Sequence, residues 1–68
     1  MRRTTAAKRI ITLRLKLGLT QESFAHTLGV VTSSVSKWEN GHAMPSRLAR
    51  KRLAEVEATQ LTTREVQP

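Results

Sequence analysis

The stretch TQESFAHTLGVVTSSVSKWENG, residues 20–41, decides the fold. Thr20 followed by Gln21, Glu22 and Ser23 reads as a helix N-cap, because its hydroxyl can accept from an orphan backbone N–H at Glu22 or Ser23. Ser23 lacks the reach-back carboxylate or amide of a full capping box. Phe24, Ala25 and Leu28 give this helix a buried stripe, and Gly29 ends it after about two turns. A further short helix follows from about Thr32 to Asn40, with Val35 and Trp38 facing inward and Gly41 closing it. The odd feature is polar. Thr32, Ser33, Ser34 and Ser36 crowd one short helix that ends in Lys37, Trp38, Glu39 and Asn40.

Upstream, Ile10, Leu13, Arg14 and Leu17 recur at one-face helical spacing from about Ala6. Thr4 or Thr5 is placed to cap that helix and Gly18 to end it. Ile11 and Leu15 form a neighbouring stripe that needs a cover. Downstream, residues 42–45 are a connector, since Pro45 pushes Met44 out of the helical region. Ser46 caps a fourth helix over about residues 47–58, whose apolar positions are Leu48, Ala49, Leu53 and Val56. The expected organisation is a basic flexible arm (1–5), a helical domain (6–58) and a flexible C-terminal tail (59–68) holding Leu61 and Val66. No strand-like alternation and no internal repeat is present.

Composition narrows the function. The 68 residues suit one small domain of marginal stability. Without cysteine there is no disulfide or thiolate metal site, and His26 and His42 alone make a metal centre unpromising. Twelve Lys+Arg against five Asp+Glu give a net charge of +7, which favours an anionic partner. No apolar run reaches transmembrane length. Arg2, Arg3, Lys8 and Arg9 are not followed by a signal-peptide core, so a soluble, cytoplasmic protein with no membrane association is expected. With no cysteine, no aspartate and no paired carboxylates, no catalytic constellation exists, so the expectation is a non-enzyme without cofactor or metal.

Two short helices joined at Gly29 fit a steep helix-turn-helix crossing. Ala25 is small enough for close approach, and Gly29 accepts positive φ in the turn. Leu28, Val30, Val35 and Trp38 are spaced to close the corner.

Residues 10–45 resemble the Cro/C1-type helix-turn-helix family (XRE-like, lambda repressor-like), on LGLTQESFAHTLGV, then SSVSKWENG, then Pro45. The resemblance is carried jointly by Thr20, Gln21, Ala25, Gly29, Val35 and residues 38–41. It implies an all-α, compact four-helix domain with a central helix-turn-helix. It also implies that Gln21 touches the phosphate backbone, at a helix N-terminus suited to anions. Thr32, Ser33 and Lys37 match base-reading positions, with Ser36 and Ser34 beside them, and Asn40 matches a backbone-contacting residue. Arg14 and Glu39 match a pair that ties the first helix to the end of the third. Val31 departs from the family, which usually has Ser or Thr as the cap here. Either Thr32 caps instead, or the helix start frays until DNA binds.

The hydroxyl-rich helix then has a reason, since short side chains let it approach base edges closely. Each residue also has a plainer reading. Serines and threonines on helices usually face solvent, Lys37 can be an ordinary surface lysine, and Trp38 reads as core rather than a base-stacking platform. Arg47, Arg50, Lys51 and Arg52 are either a solvated face or phosphate contacts. Arg2 and Arg3 are either a solubilising arm or one that reaches along DNA.

The expected function is sequence-specific double-stranded DNA binding as a transcriptional repressor, acting as a homodimer. Either Ile11 and Leu15, or Leu53, Val56 and Leu61, would form the subunit interface. Two other classes remain open. One is an antitoxin-type protein whose main partner is a toxin, with DNA binding for autoregulation. The other is a charge-driven binder without sequence preference.

Overall fold

The computed structural model describes residues 4–66, with side chains described for residues 4–59. Four helices follow in order among them, α1 (Thr5–Leu17), α2 (Gln21–Leu28), α3 (Thr32–Glu39) and α4 (Arg47–Val66), and no strand. The all-α, four-helix reading therefore holds. Arg2 and Arg3 lie outside the described residues, as do the side chains of Leu61 and Val66.

Three of the four helix starts are closed by a hydroxyl. Thr4, rather than Thr5, caps α1, accepting from the Ala7 N–H at 3.0 Å. Thr20 caps α2 through the Ser23 N–H at 3.1 Å, and Ser46 caps α4 through the Ala49 N–H at 3.2 Å. Such caps each stabilise a helix by about 1 kcal/mol. The turn between α2 and α3 closes on Gly29, at φ 74° and ψ 31°. The Val30 N–H donates to the Ala25 carbonyl at 2.9 Å and the Gly29 N–H to that of His26 at 3.1 Å, a Schellman closure that satisfies the last carbonyls of α2.

The core is the set of side chains those helices turn inward. Ile10 and Leu13 come from α1, Phe24, Ala25 and Leu28 from α2, Val35 and Trp38 from α3, and Ala49 from α4. Phe24, Leu28 and Val35 are fully buried. Burial of each stabilises the fold by about 1.5–3 kcal/mol relative to exposure. Leu17, Leu19, Val30, Ala43, Leu53 and Val56 pack around this centre.

Two expectations need correction. The fourth helix does not end at Ala58. It continues to Val66, and no glycine or proline interrupts residues 59–66. Leu48 is not on the packed face of α4 but 62% exposed, one position before buried Ala49. Of the stripe that called for a cover, Leu15 is 62% exposed and Ile11 half-buried. On another side, α1 and α4 flank an open groove of about 190 Å³, walled by Ile10, Leu13, Met44, Pro45 and Leu53.

Candidate nucleic-acid interface

The site is built on α3. Its inward face carries Val35, Trp38 and Glu39, all buried. At 3.6 residues per turn, the side opposite Val35 is formed by Ser33 and Lys37, one turn apart, with Ser36 and Asn40 beside them. Ser33, Lys37 and Asn40 are exposed and Ser36 is half-buried. Thr32, exposed, and Ser34, half-buried, stand on the two flanks. The structure thus groups all the hydroxyl residues and the lysine singled out in the sequence on one short helix, with Ser33, Ser36 and Lys37 on its outward side.

Both ends of α3 are defined by local bonds. Val31 is the N-cap residue, at φ −79° and ψ 152°, and makes no side-chain cap bond. Of the two alternatives for this departure, Thr32 does not act as cap: it is the first residue of the helix. At the other end Asn40 is the C-cap, and its Nδ2 donates to the Ser36 carbonyl at 2.9 Å. The following loop folds back over the helix, with the His42 N–H donating to the Lys37 carbonyl at 2.8 Å.

A buried polar network holds α3 against the rest of the fold. Arg14 Nε donates to Glu39 Oε2 at 2.6 Å and Arg14 Nη2 to Glu39 Oε1 at 3.0 Å, a two-pronged guanidinium–carboxylate pair. Arg14 Nη1 also donates to the Leu19 carbonyl at 3.0 Å. Gln21 Nε2 donates to Glu39 Oε1, again at 3.0 Å. One carboxylate at the end of α3 is thereby bonded to α1 and to the first residue of α2. The hydrogen bond to Glu39 raises the Arg14 pKa; desolvation partly opposes this and the Glu39 charge adds to it. No buried side-chain polar atom lacks a partner among the described residues.

Sequence reasoning did not find the Gln21–Glu39 bond. The two residues lie 18 positions apart, and no local periodicity links them. Nor did it find the Arg14 bond to the Leu19 carbonyl, which anchors the start of the α1–α2 turn.

Further charge lies on other helices. Arg47, Arg50, Lys51 and Arg52 are all exposed on α4. Arg9 and Glu57 form a surface ion pair at 3.6 Å, of the exposed kind that contributes little to stability. Among the described residues, no three His, Asp or Glu side chains are grouped to hold a metal ion. No described helix is long and apolar enough to cross a membrane.

Two short helices, a glycine turn at positive φ and a solvent-facing polar helix locked by its inner side form a helix-turn-helix. A helix-turn-helix family model matches residues 10–56, more than half of the chain. The chain belongs to the Cro/C1-type helix-turn-helix family. No curated protein and no solved structure matches it. As a helix-turn-helix protein it is a DNA-binding regulator with a lambda repressor-like all-α fold. In the helix-turn-helix, α2 is the supporting helix and α3 the exposed one.

Proposed function

We propose that the protein is a sequence-specific double-stranded DNA-binding repressor that inserts α3 into the major groove as one half of a homodimer. The observation that carries this reading is the outward side of α3. Ser33, Ser36 and Lys37, flanked by Thr32 and Ser34, form a surface of short hydroxyls and one lysine. Behind it, Val35, Trp38 and the Glu39 network keep the helix in place. Short side chains allow close approach to base edges, where hydroxyls donate or accept and lysine favours guanine O6 and N7.

Gln21 and Asn40 are assigned to the phosphate backbone. They lie at the first residue of α2 and the C-cap of α3, so they flank the reading helix from two sides. One amide hydrogen of Gln21 goes to Glu39, and the second is left to donate to a phosphate. The net charge of +7 steers the protein to DNA and supplies sequence-independent affinity. Repression follows from occupying the operator. Dimerisation is supported by Leu15 on α1, an apolar side chain left 62% exposed.

A second reading, an antitoxin-type protein with a protein partner, has one observation in its favour. The α1–α4 groove remains open to an apolar side chain from outside.

The test is selection of bound duplexes from a randomised pool at near-physiological salt. The repressor reading expects an inverted repeat with half-site centres about 34 Å apart, one helical turn. Retention without enrichment, falling uniformly as salt rises, would overturn it.

A further inference from the structure

We infer that Val31 is itself a base-reading residue, its branched methyl groups contacting the C5-methyl of a thymine in the major groove. This rests on the reading of α3 as the groove-inserted helix.

Val31 is an apolar side chain that is 66% exposed at the leading end of α3. It is the only exposed large apolar residue of the helix-turn-helix among the described residues, since Leu15, Met44 and Leu48 lie on α1, the connector and α4. Folding alone does not account for it. Its backbone already has the extended cap conformation, and its carbonyl accepts from the Ser34 N–H at 3.0 Å. A serine or threonine would fit that backbone, add the missing cap bond and remove an exposed apolar surface. Valine is the less stable choice at this position. Its neighbour Val30 is different, being packed against the core.

The chemistry of the groove supplies the partner. The N-terminal residues of a reading helix are those set against base edges. On those edges the bases present hydrogen-bond donors and acceptors, and one apolar feature, the thymine methyl. Valine can neither donate nor accept, so the thymine methyl is the feature it matches. The hydroxyls of Thr32 and Ser33 bond to polar base atoms and the valine adds a contact that they cannot make. The two kinds of residue together distinguish thymine from cytosine at one position of each half-site.

The test uses the duplex selected above, with each thymine replaced in turn by deoxyuridine, which lacks only the methyl group. Affinities are measured at fixed salt for the natural chain, Val31→Ser and Val31→Ala. The natural chain is expected to bind about fourfold more weakly when one particular thymine per half-site loses its methyl, the effect of removing one methyl from apolar contact. Val31→Ser should bind the two duplexes equally, and Val31→Ala, which keeps one methyl nearer the backbone, should show a smaller difference than the natural chain. Val31→Ser should also unfold at higher urea than the natural chain, through its new cap, and Val31→Ala should not. Loss of methyl sensitivity in Val31→Ser, despite its higher stability, assigns the contact to the valine. If no thymine is methyl-sensitive, or all three proteins are equally sensitive, the inference is wrong while the selected site still supports the repressor reading. Failure to select any site overturns both.

Discussion

Neutralising Glu39 should cost this domain a large part of its stability. The side chains of Arg14 and Glu39 are only 17% and 5% exposed, so the pair is largely withdrawn from water. Removing one partner of such a pair typically costs about 3–5 kcal/mol, because the other charge is left buried without compensation. Glu39→Gln keeps the shape but removes the charge that three hydrogen bonds share, two from Arg14 and one from Gln21. Arg14 retains its bond to the Leu19 carbonyl, so about 3 kcal/mol is the expected loss. A chain of this length has a total stability of roughly 3–10 kcal/mol. The variant should therefore keep about 0–7 kcal/mol, and at the low end of that range it is partly unfolded at room temperature. Trp38 provides the assay, as the single tryptophan, 6% exposed and next in sequence to Glu39. Urea titrations followed by its fluorescence give the difference directly. The double variant Arg14→Met with Glu39→Leu should recover most of the loss, since apolar replacements of a buried pair are often neutral or stabilising. The raised Arg14 pKa sets the pH dependence. Its contribution is fully present below the ordinary arginine value and is lost only as pH rises through the still higher folded value, so neutral pH leaves it intact. A loss below about 1 kcal/mol for Glu39→Gln would place the pair among exposed ones and refute the reasoning.

Other variants probe the remaining parts. Gly29→Ala should lose about 1–2 kcal/mol through the left-handed backbone alone, since an added Cβ at φ 74° meets nothing within 4 Å; thermal melts check this, at about 4–8 °C per kcal/mol. Ser46→Ala removes the 3.2 Å cap bond to the Ala49 N–H and should lower the urea midpoint by about 1 kcal/mol of stability, with DNA preference unchanged. Lys37→Ala should fold normally and bind the selected duplex about 1–3 kcal/mol more weakly, with relaxed preference at one base position, as read by a competition series of point-substituted duplexes.

What could be read in the sequence was local. Thr20 and Ser46 announce caps because the hydroxyl and the N–H it meets are three residues apart. Gly29 announces the turn because only glycine accepts its φ readily. The buried stripes of α1, α2 and α3 follow from helical spacing, and Val31 stood out because the resembled family usually carries a hydroxyl there. Other features depended on tertiary placement. The Gln21–Glu39 bond joins two helix ends that periodicity treats separately. Leu48 and Ala49 are adjacent apolar residues, and only packing against the other helices decides which one is buried. The end of α4 was missed for a related reason: residues 59–66 carry no stop signal, but their polarity suggested a tail. Grouping of Ser33, Ser36 and Lys37 on the outward side of one helix was legible as soon as Val35 and Trp38 were read as its inner face. Their contacts with bases belong to the proposed function.

The central claim is that α3 reads the major groove. Methylation interference on the selected duplex tests it most directly, because dimethyl sulfate marks guanine N7 in the major groove and adenine N3 in the minor groove. The account predicts that methylated N7 positions within each half-site block binding, and that Lys37→Ala relieves the block at one guanine. Interference confined to adenine N3, or none at any base, would contradict it.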